Sequence, residues 1–185
     1  MKSFVIFAGV NGAGKTTLYQ TNEEYMELPR VNLDEIVRNI GSWKSEKDVA
    51  KAGIIAVNMI KGFFKDGASF NQETTLCGRS IIQNIYKAKS MGYYIDLNYV
   101  GLESSELAIE RVEKRVAAGG HGIPSSDIIR RYNESLQNLK RIIPICDRVK
   151  IYDNTKSFRK IASYINGSCT DLTNDIPNWF MNVLQ

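Results

Sequence analysis

Histidine occurs once in the 185-residue chain, at His121, so no cluster of imidazoles can ligate a metal ion. The three cysteines, Cys77, Cys146 and Cys169, are odd in number and lack the paired spacing of a zinc site. They read as reduced thiols of a cytoplasmic protein rather than as a disulfide framework. Lysine and arginine never run longer than two in succession, which argues against a polynucleotide patch and a nucleic-acid partner. Long apolar runs are missing too. The longest, Ile54 to Ile60, is interrupted by Asn58 and closed by Lys61, so nothing predicts a membrane span. Met1-Lys2-Ser3 leads into an apolar segment of about six residues, too short for a signal-peptide core. What remains is ordinary: 43% hydrophobic, 24% charged and a net charge of +4. That composition predicts a single domain over residues 1–185, long enough to bury about 70% of its unfolded surface. The mildly basic balance is what a phosphate-handling site alone would produce.

One stretch stands out from this background. Gly9-Val10-Asn11-Gly12-Ala13-Gly14-Lys15-Thr16-Thr17 satisfies G-x-x-x-x-G-K-[ST] at every fixed position. It follows Phe4-Val5-Ile6-Phe7-Ala8, an apolar run that predicts a buried strand, and precedes Leu18-Tyr19, where a helix can continue. Glycines there let successive backbone N–H groups turn inward as an anion-binding nest at a helix start. Gly9, Asn11, Gly12, Ala13, Gly14, Lys15, Thr16 and Thr17 are therefore the expected phosphate-binding residues. Lys15 would reach the β- and γ-phosphates of ATP, and the Thr16 hydroxyl would ligate Mg²⁺.

The rest of the chain alternates strand and helix. Arg30 to Leu33 predicts a second strand ending at Asp34, and Asp48 to Lys65 a largely buried helix. Gly67 to Gln72 reads as a third strand ending at Glu73, Ser80 to Met91 as a helix closed by Gly92, and Tyr93 to Val100 as a fourth strand. Ser104 or Ser105 can cap a helix running to about Ala118, where Gly119-Gly120 ends it. Pro124-Ser125-Ser126-Asp127 starts another, with the apolar stripe Ile129, Tyr132, Leu136, Leu139 and Ile143. Arg148 to Tyr152 is the fifth strand. The last segment changes rhythm: Lys160 to Ile165 alternates, Asn166-Gly167 follows, and Ser168 to Leu172 can pair back as a hairpin. A helix over Ser157 to Ile165 is the competing reading, and Pro177 to Leu184 predicts a short final helix. The expected architecture is an α/β P-loop NTPase fold. It has a five-stranded parallel sheet sandwiched by helices, a helical lid over about 103–143, and a C-terminal hairpin and helix over about 156–185.

Ligands of an open parallel sheet lie beyond the carboxyl ends of its strands. Asp34 occupies such an end and could accept a proton from an attacking hydroxyl, or cap a helix starting near Glu35. Glu73-Thr74-Thr75 could bind substrate hydroxyls or support Mg²⁺, or simply turn the chain. Arg111 and Arg115, four apart on one helical face, suit a lid that clamps phosphoryl charge, or surface ion pairs. His121 lies in a loop able to hinge and could face the cleft as a phosphate donor, or have no role there. Arg130 can pair with Glu134, and Arg130 or Arg131 could face the γ-phosphate. Asp153-Asn154-Thr155 lies where a purine edge could sit, which adds Asn154 to the nucleotide-binding set, or could simply cap and turn the chain.

Gly9 to Thr17, Asn32-Leu33-Asp34, Glu73-Thr74-Thr75, Glu110-Arg111 and Tyr152-Asp153-Asn154 together resemble the zeta toxin family, over residues 1 to about 155. Within that family the chain is most similar to short zeta-toxin-like ATPases or kinases. The resemblance implies a P-loop kinase acting on the sugar of UDP-N-acetylglucosamine. It places the base on Asp34, substrate contacts on Glu73 and Thr75, and the first lid arginine on Arg111. The family's second arginine comes from the loop between the lid helices. Here that loop reads Gly119-Gly120-His121-Gly122-Ile123-Pro124 and has none, leaving Arg115, Arg130, Arg131 or His121 to substitute. The expected substrate set is thus Asp34, Glu73, Thr75, Arg79 and His121, and the catalytic set Lys15, Asp34, Arg111 and Arg115. The expected partner is a small-molecule acceptor such as a nucleotide sugar. An antitoxin is the family's protein partner, though the sequence shows no extension to receive one. The alternative functional class is a slow ATPase or nucleotide-dependent switch without an acceptor.

Overall fold

In the computed structural model, which describes residues 1–185, the run from Phe4 to Ala8 forms most of strand β1 (Ser3–Ala8), and its last five residues are all buried. The P-loop leads into α1 (Lys15–Gln20), then α2 (Glu23–Met26), β2 (Arg30–Val31), α3 (Leu33–Ile40), α4 (Glu46–Asp66) and β3 (Phe70–Thr74). There follow α5 (Arg79–Ser90), β4 (Tyr94–Gly101), α6 (Ser105–Ala117), α7 (Ser125–Ile142) and β5 (Arg148–Asp153). β6 (Arg159–Ile165), β7 (Ser168–Leu172) and α8 (Asn178–Leu184) complete the chain.

The sheet has the order β2-β3-β1-β4-β5-β6-β7. β2, β3, β1, β4 and β5 run parallel, as the alternating pattern predicts. The count of five strands needs correction to seven, because the hairpin does not stand apart from the sheet. β6 pairs antiparallel along β5 and covers the edge that β5 would otherwise leave with unpaired backbone groups. The hairpin turn is where Asn-Gly predicts it, with Asn166 at φ 48° and Gly167 at φ 76°. β6 therefore replaces the competing helix.

Helices cover both faces. The larger core joins Phe4, Ile6 and Phe70 to Phe64 of α4, Ile85 of α5, Leu139 of α7 and Trp179 of α8. The smaller one joins Val5 and Phe7 to Leu18 of α1, Tyr25 of α2 and Val112 of α6. Two sequence expectations shift here. α4 buries only Ala52, Ile60 and Phe64 along its inner side, and Ile54 is 63% exposed. The buried stripe of α7 runs through Ile128, Ser135, Asn138, Leu139 and Ile142 rather than through Ile129 and Tyr132. Its polar members are satisfied inside: Ser135 bonds the Tyr99 hydroxyl at 2.9 Å, and Asn138 donates to the Leu76 carbonyl at 2.9 Å. An apolar pattern cannot register such positions.

Candidate active site

The P-loop leaves β1 through Gly9, whose φ of +140° and tight seat demand glycine. A Cβ there would lie 2.2 Å from the Val100 carbonyl oxygen of β4. The loop closes on Gly14, in the left-handed region at φ 101°, and no side chain caps the helix that follows. The first-turn amides of α1 are thus free to bind phosphate oxygens. Lys15 is buried and donates to the Val10 carbonyl at 3.1 Å. Burial lowers its pKa, opposed by the carboxylates of Glu73 and Asp34. From the far side Asn154 donates to the Ala13 carbonyl at 2.9 Å, and Arg111 donates to the carbonyls of Asn154 and Thr155 at 2.7 and 3.1 Å. These two residues brace the back of the loop.

The register of β1 with β3, Phe7 opposite Glu73 and Ala8 opposite Thr74, brings Glu73 beside Thr16. The Thr16 hydroxyl donates toward both Glu73 oxygens at 3.1 Å. The carboxylate also accepts from Asn32 at 3.1 Å and from Arg30 at 2.5 Å. Arg30 lies flat over the Tyr19 ring, 3.6 Å from its centroid, and pairs with Glu35 at 2.9 Å. No group of three or more His, Cys, Asp or Glu side chains converges to hold a metal ion. The single hydroxyl–carboxylate pair of Thr16 and Glu73 fits Mg²⁺ held mainly by phosphate oxygens and water.

Beyond the P-loop opens a cavity of about 530 Å³, the size of a small-molecule site. Lys15 and Asn11 border it on the P-loop side, and Asp34, Glu73, Thr75 and His121 enter from strand ends and lid. Asp34 does not cap α3; Asn32 does, accepting from the Asp34 amide at 2.9 Å. That leaves the Asp34 carboxylate in the cavity, 41% exposed and 3.8 Å from His121 Nε2. His121 stacks on Trp43 with centroids 4.0 Å apart and planes 9° from parallel. Burial lowers its pKa, Asp34 opposes that, and Arg115 and Arg38 reinforce it. Arg131 also lines the cavity and donates to Asn11 at 3.3 Å.

The structure does not gather every expected residue. Arg115 donates to the His121 carbonyl at 3.0 Å and does not line the cavity, although its charge bears on both Lys15 and His121. Arg111 faces the β5–β6 loop, and Arg79 is exposed at the start of α5. Arg130 reaches the rim, with its guanidinium paired to Asp127 and Glu134 at 3.1 and 3.3 Å. Sequence reasoning missed Arg30 and Trp43. The signal for Trp43 is a large aromatic alone in the polar loop after Asp34's helix. Arg30 offers a cation opening a strand that is otherwise buried.

A parallel sheet with a phosphate cradle after its central strand, and a carboxylate-lined cavity beside it, defines a P-loop nucleotide-binding protein of the kinase type. More narrowly, the family described as Zeta toxin matches residues 1–164, and this chain belongs to it. The chain is 33% identical over 128 residues to an uncharacterized protein of Haemophilus influenzae, covering 69% of this chain and 91% of that one. Among solved structures it resembles a chain of the AvrRxo1-ORF1:AvrRxo1-ORF2 complex with ATP, at TM-score 0.68 and 17% identity, covering 92% of this chain and 60% of that one. It also resembles the PezAT chromosomal toxin–antitoxin system of Streptococcus pneumoniae, at TM-score 0.60 and 18% identity, covering all of this chain and 77% of that one. Identities this low carry the fold alone. The chain spans about three fifths of the AvrRxo1 chain. No helix is long and apolar enough to cross a membrane.

Proposed function

We propose that this protein is an ATP- and Mg²⁺-dependent kinase that transfers the γ-phosphoryl group to a hydroxyl of a small molecule held in the cavity beside the P-loop. Family membership favours a nucleotide sugar as acceptor. The observation that carries the reading is Asp34: its carboxylate, released from capping by Asn32, shares one cavity with Lys15 and Asn11 of the phosphate cradle.

In this reading the P-loop amides and Lys15 hold the β- and γ-phosphates. Thr16 is the residue that would hold Mg²⁺, with Glu73 orienting its hydroxyl; bound there, the ion would neutralise charge building on the phosphates. The acceptor hydroxyl would be held by Glu73 and Thr75 and give its proton to Asp34. Of the four residues open for the second cation, Arg131 is favoured, because its guanidinium reaches Asn11 of the P-loop while Arg115 holds backbone behind the lid. Arg111, bonded to the carbonyls of Asn154 and Thr155, would serve by bracing the loop behind the P-loop. The toxin–antitoxin setting of the PezAT relative makes an antitoxin the protein partner to try first.

The test uses labelled ATP with a panel of nucleotide sugars, sugars and nucleosides. A phosphorylated acceptor is expected, and its formation should fall by about 100-fold or more in Asp34→Asn with ATP affinity nearly unchanged. Free phosphate without any labelled acceptor would instead support the ATPase or switch reading. Equal loss of binding and transfer would remove Asp34 from the role of base.

A further inference from the structure

The lone histidine sits where the lid meets the base. The loop between α6 and α7 lays the His121 ring against Trp43, in the loop between α3 and α4, with 4.0 Å between centroids. That stack fixes the ring plane and leaves Nε2 directed at Asp34 Oδ2, 3.8 Å away. Hydrogen-bond reach is about 2.7–3.2 Å, so a shift of about 1 Å in the loop would join them. Arg115 holds the same residue from behind by its backbone carbonyl.

We infer that His121 is a positioning residue for Asp34: the lid loop seats its imidazole so that Nε2 receives the proton that Asp34 removes from the acceptor hydroxyl. This rests on the kinase reading of the site. As the acceptor oxygen attacks the γ-phosphorus, its proton passes to the Asp34 carboxylate, and the bond to the β,γ-bridging oxygen breaks with its electron pair leaving on ADP. The proton then moves from the Asp34 carboxyl to Nε2, restoring the carboxylate. The resulting imidazolium lies against the Trp43 face, which stabilises a cation, and sheds its proton to water when the loop lifts.

The electrostatic setting keeps the ring neutral at rest, with Asp34 as the one group favouring its protonated form. The charged groups bearing on His121 are Asp34 and Arg38 of α3 and Arg115 of α6. Arg130 and Arg131 of α7 line the same cavity. Burial and the arginines hold the ring below the ordinary histidine range, so it rests neutral at pH 7, and the opposing pull of the Asp34 carboxylate is what favours a proton on it. The sign follows: as pH falls through and below about 6.5, protonation is resisted in the closed loop and closure weakens.

Because the histidine is unique, its ¹³Cε1–H resonance is a single peak that titrates in the intact chain. The expected result is a midpoint below 6.5 in the wild type and lower still in Asp34→Asn, which loses the opposing carboxylate. A midpoint unmoved by Asp34→Asn would overturn the contact. The second arm measures MgATP-dependent phosphorylation of UDP-N-acetylglucosamine, and MgATP hydrolysis by water, against pH. His121→Gln should lower the rate by about 10–100-fold and remove the inflection at the histidine midpoint, with MgATP affinity unchanged. Added imidazole should restore part of the rate to His121→Ala. A His121→Gln profile identical to wild type, beside an inactive Asp34→Asn, would leave the kinase reading standing and sink the role of His121. A wild type that transfers to neither probe would instead count against the kinase reading, and the titration would still decide the contact.

Discussion

Replacing Glu73 by Gln separates the site's architecture from its chemistry. The carboxylate joins four groups: Thr16, Asn32 and, through Arg30, both Glu35 and the Tyr19 ring. Gln can still accept from Thr16 and Asn32 through its carbonyl oxygen, so those bonds survive. Arg30 loses the buried one of its two carboxylate partners, with side-chain exposures of 9% for Arg30 and 10% for Glu73 in the native pair. Breaking one side of a buried pair costs about 3–5 kcal/mol. Glu35 remains on Arg30, half in solvent at 40% exposure, and the Tyr19 stack persists, so about 2 kcal/mol should be lost. For a domain of this size that is a fall in Tm of roughly 4–8 °C, readable by calorimetry at neutral pH with a urea titration as a second measure. The double variant Arg30→Met, Glu73→Gln should recover part of the loss, because it removes the stranded guanidinium. An unchanged Tm in Glu73→Gln, or strictly additive losses in the double variant, would refute the pairing as the cause.

Gly101 ends β4 with no room for a side chain, since a Cβ would lie 2.2 Å from the Trp179 ring. The indole cannot move aside freely, because its Nε1 donates to Asp153 at 3.0 Å. Gly101→Ala should therefore cost about 1–3 kcal/mol, seen as a lower urea midpoint, and an unchanged midpoint would contradict the packing. The thiols should differ sharply in reactivity. Cys146 is buried with its pKa pushed up to about 12, burial also raises that of Cys77, and Cys169 is exposed. Iodoacetamide at pH 8 should modify Cys169 first in the native protein and all three thiols in urea, as read by peptide mass mapping.

The parts legible in the sequence are those whose cause is local. Gly9 to Thr17 dictates its own backbone, and the run before it can only be a buried strand, so cradle and central strand follow together. Asn166-Gly167 does the same for the hairpin, because both residues must adopt positive φ. What the hairpin does next was not legible. Whether β6 extends the parallel sheet depends on the free edge of β5, which no residue of the hairpin announces. The site divides along the same line. Glu73 stands at the end of β3, which the alternating pattern locates, whereas β2 stops at Val31, short of the expected Leu33, and Asp34 falls in the first turn of α3. Arg30 becomes a site residue only when β2 pairs with β3, putting Val31 beside Gln72 and the guanidinium within reach of Glu73. The α7 stripe misleads for a different reason: Ser135 and Asn138 are core positions because Tyr99 and Leu76 offer them partners, and polarity alone votes against them.

The lid's attachments set how its groups must move. Arg111 on α6 holds the loop behind the P-loop, Arg131 on α7 reaches Asn11 in front of it, and His121 between the two helices rests on Trp43 at the acceptor wall. Each contact ties the same helix pair to a different part of the core. In the proposed kinase, movement of the loop between α6 and α7 to admit an acceptor would withdraw the imidazole, while the helices stay seated through Val112 and Leu139 and Arg111 keeps its bonds to the carbonyls of Asn154 and Thr155. Such a movement would keep Asp34 unsupported until an acceptor is enclosed, which disfavours transfer to water. The missing lid-loop arginine then has a physical reading. If Arg131 supplies charge from α7 as proposed, the loop position is free to carry a proton acceptor instead.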